Sequence, residues 1–228
     1  MEKFLITGTS KGIGFEAKEY FSKNSYVIGI SRTKQNDHEN FRHYQIDLSE
    51  ISQISNNLKL ILNDHQDINN FILNAGFGIF KELDQFSEIE ILNLLNVNLI
   101  SNIIITKTIL PYLRKNNNSR IFFIGSEASL IGQKKGSIYC ASKFGLRGFV
   151  QSIQKELSKN NTQISLINPG MVKTEFYNDL EFCHGELKEN YINSIDIIKY
   201  IELIINNGDF CLAEEINLKP HKKVILKK

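Results

Sequence analysis

A tyrosine and a lysine four positions apart carry the clearest chemical signal in the chain. Tyr139 and Lys143 lie in a segment with helical periodicity, and residues at i and i+4 share one face of a helix. A free tyrosine has a pKa of about 10, and a neighbouring ammonium lowers that pKa because it favours the phenolate. Tyr139 is therefore predicted to act as a general acid and base near neutral pH.

A serine follows the fifth apolar run of the chain. Ser126 comes directly after a predicted strand, and open α/β sheets place their sites at the carboxyl ends of strands. Its hydroxyl can hold a substrate oxygen while negative charge develops there. Taken alone, the serine is an ordinary turn residue and the tyrosine and lysine are an ordinary exposed pair, so only the combination indicates catalysis.

Three glycines follow the first predicted strand, in the spacing Gly-x-x-x-Gly-x-Gly. The loop reads Gly8-Thr9-Ser10-Lys11-Gly12-Ile13-Gly14 and leads into a predicted helix. Glycine permits positive φ and close approach of the backbone to a ligand, and a helix N-terminus attracts a pyrophosphate. The loop predicts nucleotide binding; a tight turn without a ligand is the alternative.

The end of the second predicted strand indicates which nucleotide binds. An NAD site usually carries an acid about 20 residues after the glycine loop, but this chain reads Ser31-Arg32-Thr33, with no acid before Asp37. Arg32 and Lys11 can pair with a 2′-phosphate, and the hydroxyls of Ser31 and Thr33 can add hydrogen bonds. These residues predict NADP(H), unless the two cations are only solvated surface charges.

Short apolar runs alternate with helical periodicities along the chain, the pattern of a parallel sheet covered by helices. Predicted strands are 3–7, 26–30, 43–46, 70–73, 120–125, 164–168 and a segment within 210–218; predicted helices are 12–23, 48–63, one or two within 87–114, 139–159 and 196–206. The predicted fold class is α/β: one doubly wound Rossmann domain over 1–228, with a mostly parallel sheet flanked by helices on both faces.

Composition excludes several classes of partner. The net charge is 27 − 25 = +2, which is too small to indicate binding to nucleic acid or to an anionic membrane. The apolar start of the chain is too short for a signal peptide, and we expect no window with the ~18 apolar residues of a membrane helix. Three scattered cysteines fit a reducing compartment, so a cytoplasmic location is predicted.

These motifs together resemble the short-chain dehydrogenase/reductase family over about residues 3–175. The intervals from Asn98 to Ser126, then to Tyr139, then to Lys143 are 28, 13 and 4 residues, as in the family. One position departs, because Leu73 replaces the first of two asparagines that usually precede Ala-Gly. The matching segments are Thr7-Gly8-x-x-x-Gly12-Ile13-Gly14, Asp47-Leu48, Asn74-Ala75-Gly76, Asn98, Ser126, Tyr139-x-x-x-Lys143 and Pro169-Gly170.

The resemblance implies a role for each matching residue. Tyr139 would be the catalytic acid and base, Lys143 would lower its pKa and bind the nicotinamide ribose, and Ser126 would orient the substrate carbonyl. Asn98 would shape its helix so that a water links Lys143 to a proton relay. The adenosine half of NADP(H) would contact Asp47, Leu48, Asn74, Ala75 and Gly76; the nicotinamide would contact Pro169, Gly170, Met171, Val172 and Thr174, with its pro-S hydride facing the substrate.

The resulting functional hypothesis is an NADPH-dependent reductase of a small carbonyl compound. An NAD-dependent alcohol or sugar dehydrogenase and a non-catalytic NADP-binding sensor remain alternatives. The resemblance implies association through the helices that carry Asn98 and Tyr139, so a homodimer or homotetramer is expected. The second helix is rich in apolar residues, which favours this expectation: Phe144, Leu146, Phe149, Val150 and Ile153.

Residues 175–193 are predicted to form a substrate lid. Phe176, Tyr177, Leu180 and Phe182 recur at near-helical spacing among acids, which predicts a short amphipathic helix with its rings turned inward and its acids in solvent. Fixed packing on the body of the protein is the alternative. Glu181, Cys183, His184 and Glu186 are metal-ligand types without a metal-site spacing, so no metal is predicted.

Overall fold

A parallel sheet lies at the centre of the computed structural model, which describes residues 2–115, 118–158, 162–207 and 211–228. The strands of the described chain are β1 (Lys3–Thr7), β2 (Tyr26–Ser31), β3 (Phe41–Gln45), β4 (Asn70–Leu73), β5 (Ser119–Ile124), β6 (Thr162–Pro169), β7 (Val172–Lys173), β8 (Phe182–His184), β9 (Ile192–Asn193), β10 (Glu215–Leu218) and β11 (Ile225–Lys227). Its helices are α1 (Gly12–Phe21), α2 (Ile51–Asp64), α3 (Glu88–Leu95), α4 (Ser101–Leu113), α5 (Ser137–Glu156) and α6 (Ser194–Asn207).

The strand order confirms the predicted doubly wound fold. The sheet runs β3-β2-β1-β4-β5-β6-β10, and every neighbouring pair is parallel. The chain leaves β1 toward one edge and returns beside β1 as β4 to build the other half. Such a reversal opens a crevice at the carboxyl ends of β1 and β4, where ligands of open α/β sheets bind.

Alternation along the strands divides the core between two faces of the sheet. Phe4 and Ile6 of β1 pack with α1 and α6, whereas Leu5, between them, packs on the opposite face with α2, α4 and α5. In β4, Phe71 packs on the same face as Leu5, and Ile72 packs on the same face as Phe4 and Ile6. Because both faces are covered by helices, the strands are almost continuously apolar, as buried parallel strands are.

Most element boundaries lie close to the predicted ones. Strand β3 begins two residues earlier than predicted, and the stretch 87–114 contains two α-helices joined by a π-helical turn over Asn96–Ile100. The predicted helix end at Lys159 and strand start at Phe210 lie outside the described residues. The short strands β7, β8, β9 and β11 are not predicted, because strands of two or three residues carry no periodicity.

The expectation of no membrane-length apolar stretch is wrong on length and composition. The continuous helical stretch 88–113 is long and apolar enough to pass that test. It is also a layer of the fold, since α4 packs on α2 and α3 packs on α5. Its buried residues include Asn98, Asn102 and Thr106, whose side chains hydrogen-bond to other groups of the protein.

The apolar residues of α5 are mostly used within the chain. Leu146, Val150 and Ile153 are buried in the core and Phe149 packs against it, which leaves Phe144 exposed. The argument that α5 has an excess of apolar surface is therefore wrong for these four residues. The oligomer prediction now rests on Phe144 and on two exposed residues of the adjacent helix α3, Ile89 and Leu92.

Truncation of a core ring tests this packing. Phe71 of the central strand β4 is fully buried, so Phe71→Ala should lower the free energy of unfolding by about 3–5 kcal/mol through lost contacts and a cavity. Leu60→Ala on the outer face of α2 is the control, because Leu60 is 63% exposed, and it should change stability by less than about 0.5 kcal/mol. Urea titration of both variants measures the difference, and similar losses in the two would contradict the assigned core.

Candidate active site

Two loops meet where β1 and β4 end. The hydroxyl oxygen of Thr7 accepts hydrogen bonds from the backbone N–H groups of Asn74 and Ala75, each at 3.0 Å. The Asn74 side-chain amide donates to the carbonyl oxygens of Thr7 and Gly8, at 3.0 and 3.4 Å. These bonds tie the glycine loop to the end of the neighbouring strand.

Glycine is required at both ends of this loop. Gly8 adopts φ +78° and Gly12 adopts φ +61°, the left-handed region that favours glycine. A Cβ on Gly14 would stand 2.3 Å from the Gly8 carbonyl oxygen and 2.5 Å from the Asn74 amide nitrogen. The loop can therefore hold its backbone close to the start of α1, whose unpaired N–H groups suit a pyrophosphate.

The end of β2 presents positive charge. Arg32 and Lys11 are exposed, and neither forms an ion pair with any described residue. The first acid, Asp37, is already occupied: its carboxylate accepts from the Arg42 guanidinium at 2.6 Å and from the His43 backbone N–H at 2.7 Å.

The hydroxyl of Ser31 is used inside the protein. It donates to the carbonyl oxygen of Thr33 at 2.8 Å and lies 2.9 Å from Nε2 of His43, while the Gln35 amide donates to it at 3.0 Å. Ser31 therefore holds the turn in place, and the groups left to face a ligand at this end are Arg32, Thr33 and Lys11, all exposed.

Asp47, the acid expected at the adenosine end of the cleft, is also held by hydrogen bonds within the protein. Asp47 lines the cleft, and its Oδ1 accepts from the backbone N–H and the hydroxyl of Ser49, at 2.9 and 2.8 Å. These bonds fix the carboxylate just after β3, beside Leu48, which also lines the cleft.

The four predicted catalytic residues converge from three elements. Tyr139 and Lys143 lie on one face of α5, and the Lys143 Nζ donates to the Ile124 carbonyl oxygen at 3.0 Å. Ser126 caps the turn after β5, where its Oγ accepts from the Ala128 backbone N–H at 3.1 Å.

Asn98 lies in the π-helical turn between α3 and α4 and is fully buried. Its side chain accepts from the Phe77 N–H at 3.0 Å and donates to the Phe77 carbonyl oxygen at 2.9 Å and to the Ser142 hydroxyl at 3.2 Å. Asn98 thereby ties the loop after β4 to helix α5 beside Lys143. A substituent at Gly76 would meet both the Asn98 amide oxygen and the Lys143 Nζ, at 3.2 and 3.6 Å.

Burial controls the protonation of the site. It raises the pKa of Tyr139 to about 12, against the lowering effect of a hydrogen bond with Ser126, and it lowers the pKa of Lys143 to about 8. Lys143 is not among the groups that shift the pKa of Tyr139 here, so the lowering of that pKa by Lys143 stays a prediction. The Lys143 Nζ lies 6.0 Å from the centre of the tyrosine ring and donates a hydrogen bond to the Ile124 carbonyl oxygen.

Nearly all predicted site residues line one continuous cleft of about 1000 Å³. Gly14 and Asn98 do not line it; they support it from behind through the contacts described above. The predicted residues that line it are Gly8, Ser10, Lys11, Gly12, Ile13, Ser31, Arg32, Thr33, Asp47, Leu48, Asn74, Ala75, Gly76, Ser126, Tyr139, Lys143, Pro169, Gly170, Val172 and Thr174.

The other half of the cleft has aromatic walls. The Phe80 ring centre lies 5.2 Å from that of Tyr139 and 5.0 Å from that of Phe182, and the Phe176 ring centre lies 6.0 Å from that of Tyr139. Tyr177 packs against Phe176 and Phe182, and burial raises its pKa well above the usual value.

The predicted lid helix is not formed. Residues 175–193 contain a 3-10 turn at Glu175–Tyr177, strand β8, a second 3-10 turn and strand β9. The segment is extended because β8 pairs with β11 and β9 pairs with β7. Its rings line the cleft, as predicted, and Glu175, Asp179 and Glu181 are exposed, also as predicted, at positions that border the same cleft.

Several cleft residues carry no motif that would reveal them in the sequence. The loop after β4 contributes Phe77, Ile79 and Phe80, and β11 contributes Ile225. Glu127 also lines the cleft, and its position directly after Ser126 could have identified it from the sequence. Within the described chain, no group of three or more His, Cys, Asp or Glu side chains is placed to hold a metal ion.

Comparison with known proteins defines the family. The model of the short chain dehydrogenase family matches residues 2–181, and the chain belongs to this family of NAD(P)-dependent oxidoreductases. It is 25% identical, over 201 residues, to the 3-ketodihydrosphingosine reductase of Bacteroides thetaiotaomicron, an alignment that covers 86% of this chain and 75% of that protein.

Solved structures share the fold over nearly the whole chain. An alcohol dehydrogenase of the archaeon Thermococcus sibiricus, complexed with 5-hydroxy-NADP, superposes with a TM-score of 0.83 at 22% identity and covers 98% of this chain and 99% of its own. A 4-hydroxyisoleucine dehydrogenase complexed with NADH superposes with a TM-score of 0.83 at 24% identity, covering 96% of this chain and 97% of its own. At these identities the likeness establishes the fold.

The glycine loop offers a direct test of nucleotide binding. Gly14→Ala should abolish measurable binding of NADPH or weaken it at least tenfold, because the new methyl group displaces the Gly8 carbonyl and the Asn74 amide. Gly148→Ala is the matched control, since a Cβ at that exposed position of α5 meets nothing within 4 Å. Fluorescence titration with NADPH compares the two variants, and unchanged binding by the folded Gly14 variant would refute the cradle.

Proposed function

We propose that this protein is an NADPH-dependent reductase that converts a hydrophobic ketone or aldehyde into the alcohol. The observation that carries the proposal is the position of Tyr139: its phenol is buried beside Ser126, on the same face of α5 as Lys143 and next to the rings of Phe80 and Phe176. A protonated phenol at the meeting point of the nucleotide half and the aromatic half of the cleft is a proton donor, as reduction requires.

The reaction divides into a hydride transfer and a proton transfer. Bound NADPH would supply the hydride to the carbonyl carbon and become NADP⁺. Tyr139 gives its proton to the carbonyl oxygen, which completes the alcohol and leaves a phenolate. Lys143, protonated below its pKa of about 8, stabilises that phenolate, and Ser126 holds the oxygen as charge develops.

The charges at the end of β2 support NADP(H) over NAD(H). Arg32 and Lys11 are exposed cations without an ion-pair partner among the described residues, and Asp37 is neutralised by Arg42. A 2′-phosphate would therefore meet net positive charge. The structurally similar proteins carry both cofactor types, since one is complexed with 5-hydroxy-NADP and the other with NADH.

Two other functions fit the cleft less well. An NAD-dependent alcohol or sugar dehydrogenase would need an acid for the ribose hydroxyls where Ser31, Arg32 and Thr33 stand. A non-catalytic NADP-binding sensor would have no use for a buried tyrosine, lysine and serine brought together at one end of the cleft. The aromatic walls favour a hydrophobic substrate over a sugar.

We further infer a cytoplasmic homodimer or homotetramer. The three cysteines are free thiols, which suits a reducing compartment. The neighbouring helices α3 and α5 leave Ile89, Leu92 and Phe144 exposed, and exposed apolar residues on adjacent elements favour association.

Removal of one phenolic hydroxyl tests the chemistry. Tyr139→Phe should lower the turnover of NADPH with a ketone at least about a hundredfold, because the proton donor is lost, while NADPH binding persists. Tyr200→Phe, at an exposed tyrosine of α6, is the control and should keep the wild-type rate. Near-wild-type turnover by Tyr139→Phe would overturn the assignment of this residue.

Cofactor choice is tested at Arg32. Arg32→Ala should weaken NADPH binding much more than NADH binding, by about 1.5–3 kcal/mol, the value of one charge-assisted hydrogen bond. Arg114→Ala, at an exposed arginine after α4, should affect neither. Dissociation constants for both cofactors provide the measurement; equal weakening of the two would show that Arg32 does not read the 2′-phosphate.

A further inference from the structure

We propose that Glu127 binds an ammonium group of the substrate, so that the preferred substrate is a hydrophobic amino ketone. This inference rests on the proposed carbonyl reduction and names the substrate class of the same cleft. It makes Glu127 a specificity-determining residue, with no added chemical step.

The position of Glu127 places a carboxylate next to the reacting groups. It directly follows Ser126, lines the cleft and has a side chain only 16% exposed. Its negative charge contributes to the raised pKa values of both Tyr139 and Tyr177, so the carboxylate acts electrostatically on the two phenols of the substrate half.

The Glu127 carboxylate already forms an ion pair with an ammonium group of the protein itself. Nζ of Lys223 lies 2.6 Å from Oε1 of Glu127. Lys223 belongs to the segment between β10 and β11, and its side chain is 43% exposed. A substrate ammonium can replace this intramolecular partner at little cost, because Lys223 regains its hydration in solvent.

The second oxygen of the carboxylate is available. Oε2 of Glu127 has no hydrogen-bond partner among the described residues. It faces the backbone of Gly170, where a substituent would stand 3.5 Å from this oxygen. The same substituent would stand 3.1 Å from Cδ of Pro220 and 3.4 Å from the Leu218 carbonyl oxygen. The protein therefore fills the Gly170 side of Oε2, and a ligand group would reach the carboxylate from the cleft that Glu127 lines.

Other charges of the substrate half favour a cation over an anion. Glu175, Asp179 and Glu181 border it as well; all three are exposed, and Glu181 lies 3.5 Å from Nζ of Lys135. The opposing lysine of this wall, Lys81, is held by both oxygens of Glu90 at 2.7 Å. A phosphate or carboxylate on the substrate would face this excess of acids, whereas an ammonium would be stabilised by it.

The aromatic walls supply the apolar part of the recognition. Phe80, Phe176 and Phe182 enclose the space next to Tyr139, and Ile225 closes it from β11. Such walls bind a hydrophobic body and also stabilise a nearby cation through their ring faces. An amino ketone with an apolar substituent matches both features.

Two ketones of nearly equal shape test the proposal. Propiophenone carries a methyl group where α-aminoacetophenone carries an ammonium, and both are assayed with NADPH below neutral pH, where the amine is protonated. Glu127→Gln should lower kcat/KM for the amino ketone at least about tenfold, the effect of one charge-assisted hydrogen bond, and should change the propiophenone value much less. Lys223→Met should raise kcat/KM for the amino ketone, because it removes the competing ammonium.

Lys222→Met is the matched control, since Lys222 is 68% exposed and its nearest acid is Glu189, at 3.9 Å; it should change neither value. Equal losses for both ketones in Glu127→Gln would overturn the ammonium site and leave the proposed reductase standing. Failure of the wild-type protein to reduce either ketone would count against the proposed reductase for these substrates. Calorimetry with phenethylamine, which cannot be reduced, then tests the ionic contact independently of catalysis. Weaker binding by Glu127→Gln than by the wild-type protein supports the contact, and equal binding refutes it.

Discussion

The contact between the loops after β1 and β4 is the constraint on which the rest of the cleft depends. Asn74 bridges the carbonyl oxygens of Thr7 and Gly8, and Gly14 fits against them only because it has no side chain. This contact fixes where α1 begins, and it holds the end of β4 in the position from which the next loop reaches Asn98. The glycine cradle and the catalytic residues are therefore parts of one hydrogen-bonded framework.

Burial of its ionisable side chains controls the chemistry of that framework. Burial disfavours the charged forms of Tyr139 and Lys143, so it raises the pKa of the phenol to about 12 and lowers the pKa of the lysine to about 8. The same low exposure strengthens the effect of every nearby charge. A single carboxylate such as Glu127 can therefore select substrates at one end of the cleft, while the exposed cations Arg32 and Lys11 select the nucleotide at the other.

The sequence predicts the parts of the protein that follow from periodicity and from motifs. The doubly wound sheet, the glycine loop and the shared face of Tyr139 and Lys143 are all visible in it. The substrate half is not, because pairing between distant segments decides it: β8 becomes a strand by pairing with β11, and no local pattern near Phe182 reports that. The raised pKa of Tyr139 was also missed, because burial depends on Phe80 and Phe176, which come from other parts of the chain.

The central claim is that this cleft transfers a hydride to a carbonyl carbon. Mass spectrometry can follow that transfer directly, with NADPH deuterated at the pro-S position of the nicotinamide and a panel of aromatic ketones and amino ketones. The account predicts an alcohol that carries the deuterium on its carbinol carbon, and an unlabelled alcohol when the pro-R position is deuterated instead. NADPH that binds but transfers no label to any ketone of the panel would contradict it.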